Sequence, residues 1–126
     1  MTILLDTNYL VRYFVNDIKP LAQAAAKIIK REGNIFISVL SIAEAVYILS
    51  NHYNNDKNSI CDKLIKLLKY PNIKTESFGV SALQIFQTEN ISIYDSIIAS
   101  EAIQKGFDLK TFDKKLEKVY KKYSQN

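Results

Sequence analysis

Short apolar runs alternate with amphipathic stretches along this chain, and the alternation predicts an α/β fold: a parallel sheet with helices on both faces. Three observations carry the prediction. Apolar or β-prone runs of three to five residues recur at Ile3-Leu4-Leu5, Ile35-Phe36-Ile37, Ile73-Lys74-Thr75 and Phe107 to Thr111, too short for anything but strands. The stretches between them repeat apolar residues at helical spacing and are bounded by caps, Pro and Gly. No hairpin signal such as Asn-Gly joins one run to the next.

Each element follows in order. Ile3-Leu4-Leu5 ends at Asp6, and Asn8 to Val15 reads as a helix start or irregular turn. Pro20, a good first-turn residue, introduces an Ala- and Lys-rich helix over Leu21 to Arg31 that closes on Gly33. After Ile35-Phe36-Ile37, the spacing Ser41-Ile42-Ala43-Glu44 spells a capping box and predicts a helix to about Ser50. The polar stretch Asn51 to Asn58 reads as a loop. Ile60, Leu64, Ile65, Leu67 and Leu68 predict a helix to Tyr70, stopped by Pro71. Ile73 to Thr75 is a weak strand, and Val80, Leu83 and Phe86 mark an amphipathic helix. Ser92-Ile93-Tyr94-Asp95 repeats the cap-then-acid pattern and opens a helix to Gln104, stopped by Gly106. Phe107 to Thr111 reads as a strand, and Asp113 to Tyr123 as a basic helix.

The chain has 126 residues, with 48% hydrophobic and 24% charged, which predicts one domain over 1–126 with a core of its own. Disordered, collagen-like and disulfide-framework classes are excluded by that balance together with 3 Gly, 2 Pro and 1 Cys. The single Cys61 fits a reducing compartment. No run approaches the ~18 apolar residues of a membrane span, and Asp6 interrupts the apolar start where a secretory signal would lie. The expected address is the cytoplasm, with no membrane partner. The net charge of +4 is uneven: residues 1–104 hold 10 basic and 10 acidic side chains, whereas residues 105–126 hold 7 Lys against 3 acids. A basic terminal segment suits phosphates or is simply a solvated helix face.

Four carboxylates share one address in this reading. Asp6 follows the first strand, Glu44 opens the helix after the second, Asp95 opens its own helix, and Asp113 follows the last strand. Strand ends and following helix starts line the edge where open parallel sheets bind ligands. Each acid taken singly also fits a helix cap or the helix dipole. As a cluster they need a compensating cation, because two carboxylates ~5 Å apart repel by roughly 3 kcal/mol at an effective dielectric of about 20. An all-oxygen donor set points to Mg²⁺ or Mn²⁺ over Zn²⁺, and such a site suits attack of a metal-activated water on a phosphodiester.

At these residues the chain resembles the PIN-domain family, in particular the toxin ribonucleases of bacterial type II toxin–antitoxin systems. Leu4-Leu5-Asp6-Thr7-Asn8-Tyr9-Leu10-Val11-Arg12-Tyr13 is similar to the family's first motif. Glu44 stands where the family carries its glutamate, and Tyr94-Asp95-Ser96-Ile97-Ile98-Ala99 resembles its Asp-Ala/Ser helix start. Leu109-Lys110-Thr111-Phe112-Asp113-Lys114-Lys115-Leu116 resembles its Thr-x-Asp-x-x-Phe closing motif, with Leu116 in place of the aromatic. The resemblance implies a three-layer α/β/α sandwich around a parallel sheet of four to five short strands. It implies divalent-metal-dependent endoribonuclease activity, homodimers, and an antitoxin that masks the cleft. It places Asp6, Glu44, Asp95 and Asp113 in the catalytic metal site, with Asn8 and Thr111, and less strongly Thr7 and Ser96, hydrogen-bonding around them. Arg12, Lys114 and Lys115 are the expected contacts to RNA or antitoxin.

Two other classes remain open at this level. A receiver-type phosphoacceptor domain shares the length, the alternation and Mg²⁺ at strand ends, although Asp6 is followed by Thr7 and Asn8 rather than a second acid. A non-catalytic PIN-fold module would bind RNA or a partner without chemistry. The lone His52 lies in the Asn-rich loop with no nucleophile partner and reads as a surface residue. Cys61 reads as a small core residue, and Tyr9, Tyr13 and Tyr94 lie near the expected cleft while fitting core packing equally well.

Overall fold

Three short parallel strands form the sheet: β1 (Ile3–Leu4), β2 (Ile35–Phe36) and β3 (Ile73–Lys74), in the spatial order β1-β2-β3. These are the coordinates of a computed structural model that describes residues 1–31 and 33–125. The described chain divides into two compact units, Met1–Thr75 and Glu76–Asn126; the last residue of the basic segment, at position 126, lies outside the described residues.

In the first unit, Ile3 pairs with Ile35 and Ile35 with Ile73. The ladder continues past the strands through Leu5 N–H to the Phe36 carbonyl at 3.0 Å and Ile37 N–H to the Lys74 carbonyl at 2.8 Å. Leu5, Ile35, Ile37 and Ile73 are buried. Leu4, at 70% exposure, and Lys74 point to a face that is far less covered, as the two-residue period of a strand requires. Four helices belong to this unit: α1 (Thr7–Phe14), α2 (Lys19–Lys30), α3 (Val39–Asn51) and α4 (Lys57–Leu68). α1 packs on α2 and α3, and α3 on α4, burying Leu10, Ile29, Ile42, Leu49, Ile60 and Leu64. Cys61 is buried among them, and desolvation pushes its thiol up to about 11, so it is a core residue with little thiolate.

The second unit holds α5 (Gly79–Thr88), α6 (Ile93–Lys105) and α7 (Lys114–Ser124), with α6 packed against both others. Ile85, Ala99, Leu116 and Val119 make its core, joined by Ile91, Leu109 and Tyr123. Leu116, the departure from the family's aromatic, is therefore a packing residue. The Ser100 hydroxyl donates to the Phe78 carbonyl at 2.9 Å and contacts the Ser81 hydroxyl, tying α6 to the start of α5. Among the described residues no helix is long and apolar enough to cross a membrane.

Several expectations are corrected. The sheet has three strands among the described residues, not four to five, because Phe107 to Thr111 is irregular. A lone run in a unit without other strands has no ladder to join. Instead Leu109 packs into the helical core and the Phe107 carbonyl accepts the Tyr120 hydroxyl at 2.8 Å. α3 starts at Val39 rather than Ser41, capped by the Ser38 hydroxyl, which accepts from Leu40 N–H at 3.2 Å. The capping box read from Ser41 and Glu44 thus lies inside the helix. The loop after α3 ends at Asp56, whose carboxylate caps α4 by accepting from Ser59 N–H at 2.8 Å.

Candidate active site

Asp6 directly follows the β1 ladder and occupies the N-cap position of α1, yet its carboxylate makes no capping hydrogen bond. Glu44 lies in the second turn of α3, past the reach of the orphan N–H groups that a cap would satisfy. Asp95 sits in the first turn of α6, where Ser92 does the capping by accepting from Asp95 N–H at 3.0 Å. No hydrogen bond or ion pair engages the carboxylates of Asp6, Glu44 or Asp95 among the described residues. Asp113 differs: its Oδ1 accepts from Lys115 N–H at 2.9 Å and from Leu116 N–H at 3.1 Å, capping α7.

The sheet-edge address holds for only part of the set. Asp6 follows a strand and Glu44 belongs to the helix after β2, both at the carboxyl end of the sheet. Asp95 and Asp113 begin helices that no strand precedes within their unit, a correction that follows from the missing fourth strand. At the same carboxyl edge, Thr75 directly follows β3 and its buried hydroxyl has no hydrogen-bond partner among the described residues. Such a group calls for a polar ligand or water. Its position had no signal in the sequence beyond the end of a weak strand.

The hydroxyl and amide candidates fall into two kinds. Thr111 and Asp113 meet, the Thr111 hydroxyl accepting from Asp113 N–H at 3.0 Å and so presetting the turn into α7. Ser96 is fully buried and its hydroxyl donates to the Ser92 carbonyl at 2.9 Å, within its own helix start. Thr7 is buried at the first position of α1. Asn8 is exposed and, with Tyr9, Arg12, Leu21, Ile48 and Tyr53, lines a cavity of about 500 Å³ among α1, α2 and α3.

Arg12 is not a free cation at that cavity. Its guanidinium donates to Asp17 at 2.6 Å and to the Tyr53 hydroxyl at 3.4 Å, and that hydroxyl donates to Asp17 at 3.2 Å. The hydrogen bond to Asp17 raises the guanidinium; desolvation pushes the Asp17 carboxyl up, and the contact with Arg12 outweighs it and leaves it below its usual value. Asp17 and Tyr53 were not signalled by the sequence, because Tyr53 reaches this cluster from 36 residues away. Lys114 and Lys115 are exposed on the first turn of α7, and His52 is exposed at the end of α3 beside Tyr47.

Among the described residues no three His, Cys, Asp or Glu side chains lie close enough together to hold a metal. The candidate acids are oxygen donors, the ligand type that hard divalent cations take. Mg²⁺ usually keeps several waters and binds directly through one or two carboxylates, which does not require three in contact.

A search of curated proteins finds none that matches the chain. The family model for the PIN domain, in contrast, matches residues 3–122, nearly the whole length and both units, and spans every one of the candidate acids. The chain belongs to the PIN domain family.

Proposed function

We propose that this chain, residues 1–126 acting as one domain, is a divalent-metal-dependent endoribonuclease, the toxin of a toxin–antitoxin pair. PIN domains are generally metal-dependent nucleases and occur in toxin ribonucleases. The observation that carries the reading is that Asp6, Glu44 and Asp95, three of the four acids in the motifs that resemble the family's, make no hydrogen bond or ion pair through their carboxylates among the described residues. Neither Asp6 nor Asp95 caps its helix through its carboxylate, so the fold draws from them at most the ~0.3–1 kcal/mol of a helix-dipole interaction, and Glu44, in the second turn of α3, lies beyond even that. The fold of this reading is the family's α/β/α sandwich, with a homodimer, a masking antitoxin and a cytoplasmic setting as its further parts.

Asp6, Glu44, Asp95 and Asp113 would hold Mg²⁺ or Mn²⁺, which supplies electrophilic stabilisation of the charge that develops on the phosphodiester. The chain's own contribution is placement. Thr111 sets the backbone of Asp113, and the cap engages Oδ1 of that residue and not Oδ2. Asn8, exposed two residues beyond Asp6, offers an amide to orient a carboxylate or a phosphate oxygen. With PIN membership established, the receiver-type alternative loses its support. A non-catalytic PIN module remains the rival reading.

The test is RNA cleavage by the wild-type chain and by Asp6→Asn. The nuclease reading expects cleavage that excess chelator stops and that Asp6→Asn lacks while keeping its circular dichroism and melting temperature. Full turnover in the variant or in chelator overturns it, and RNA binding without cleavage at any divalent metal assigns the non-catalytic module.

A further inference from the structure

The segment around Asp113 exposes aromatic rings beside a row of lysines. Phe112, immediately before Asp113, is fully exposed at 105%, and Phe107 is 56% exposed. Neither joins the apolar cluster that Leu109 enters. The seven lysines of residues 105–122 divide into two groups. Lys105, Lys121 and Lys122 are held by Glu101, Glu117 and Glu89 at 2.6, 3.6 and 2.8 Å. Lys110, Lys114, Lys115 and Lys118 form no salt bridge among the described residues. Lys115 and Lys118 line a groove of about 300 Å³ together with Asn90, Ile91, Val119 and the Glu89–Lys122 ion pair, in which Lys122 already answers the one carboxylate.

We propose that Phe112 and the Lys115–Lys118 face of α7 form a docking edge for single-stranded RNA, with a base stacked on Phe112 and the following phosphates over Lys115 and Lys118. The choice of RNA rests on the nuclease reading; the edge itself rests on the exposed Phe112 ring and on lysines of α7 that form no salt bridge among the described residues. Proteins that hold single strands pair an aromatic stacking face with a basic groove that tracks the backbone, and both occur here within seven residues of sequence. Helical rise puts Lys115 ~3 Å and Lys118 ~7.5 Å along the axis from the Asp113 cap, so a strand passing Asp113 meets both charges in turn. Every basic residue of the segment is Lys, a compact point charge that neutralises phosphate without reading bases. A duplex keeps its bases stacked inside and has no free face to offer Phe112.

Fluorescence anisotropy of a short, labelled, mixed-sequence RNA tests this in chelator, where cleavage cannot interfere, with the matching duplex as comparison. All three positions are exposed, so melting temperatures should be unchanged. The single strand is expected to bind more tightly than the duplex. Phe112→Ala should weaken single-strand binding on the order of ten-fold at every salt concentration, and Phe112→Tyr should restore it. Lys115→Ala combined with Lys118→Ala should reduce the slope of log affinity against log salt by about 1.4. Wild-type affinity in Phe112→Ala, or an unchanged slope in the double lysine variant, overturns the proposal. With labelled poly-glutamate as a second probe, a double lysine variant that loses poly-glutamate binding and keeps wild-type RNA binding also overturns it and assigns the edge to an acidic protein. Inactive Asp6→Asn together with normal RNA binding by Phe112→Ala would sink this inference alone; active Asp6→Asn together with weakened binding by Phe112→Ala would sink the nuclease reading alone.

Discussion

Asp113 is the one candidate acid whose carboxylate caps a helix, and that task separates by substitution from its proposed one in the site. Asn is as good an N-cap as Asp, whereas Ala cannot accept the two N–H groups that Oδ1 now holds. Asp113→Ala should therefore cost ~1 kcal/mol in urea unfolding, and Asp113→Asn close to nothing. If both variants lose RNA cleavage alike, the charge rather than the cap is what the site needs. Asp6 makes the opposite case: with no cap bond to lose, its removal should leave stability within a few tenths of a kcal/mol. At this scale the sequence was legible where a residue's role is local. Asp113, Ser92 and Gly106 announce themselves by spacing. The Arg12–Asp17–Tyr53 cluster and the orphaned Thr75 hydroxyl depend on contacts made by distant packing, and no local pattern encodes them.

Helix boundaries show the same division at the scale of elements. α2, α4, α6 and α7 were readable from apolar periodicity and punctuation, to within a few residues. α3 was misplaced because Ser41 and Glu44 mimic a capping box while the earlier Ser38 does the capping. The run at 107–111 has strand composition and no strand, since pairing depends on a partner that composition does not supply. Gly106 ends α6 with φ +68° and nothing within 4 Å of where a Cβ would stand. Gly106→Ala should thus meet no clash and still lose about 1–2 kcal/mol of stability through backbone strain alone, read as a lower urea midpoint with an unchanged slope. At the far end of α7, Lys122 and Tyr123 hydrogen-bond the Glu89 carboxylate, which is only 16% exposed, at 2.8 and 2.7 Å and hold it below its usual 4.5. A carboxyl depressed in the folded state adds stability above its unfolded pKa and loses it as pH falls through the folded one. The wild-type melting temperature should accordingly fall more steeply than that of Glu89→Gln between roughly pH 5 and pH 3. Parallel curves would show that the tie between α7 and the Glu89 turn contributes nothing.

For the whole molecule, the α/β class and the family were legible from four motifs in order, and the match over residues 3–122 bears out that family. The strand count was not, and the sheet-edge argument reached only Asp6 and Glu44. What unites the four acids in the proposed function is a shared divalent ion, since carboxylates far apart in sequence gain from proximity only if a cation offsets their repulsion. Because only the folded chain could gather them, such an ion must stabilise folding, by about 2.7 kcal/mol at a hundred-fold excess over its dissociation constant. The most direct measurement is the melting temperature with and without millimolar Mn²⁺ for the wild type, Asp6→Asn and Asp95→Asn. The account predicts a rise in the wild type that either single substitution removes. No rise in the wild type, or one that survives the loss of either carboxylate, would contradict it.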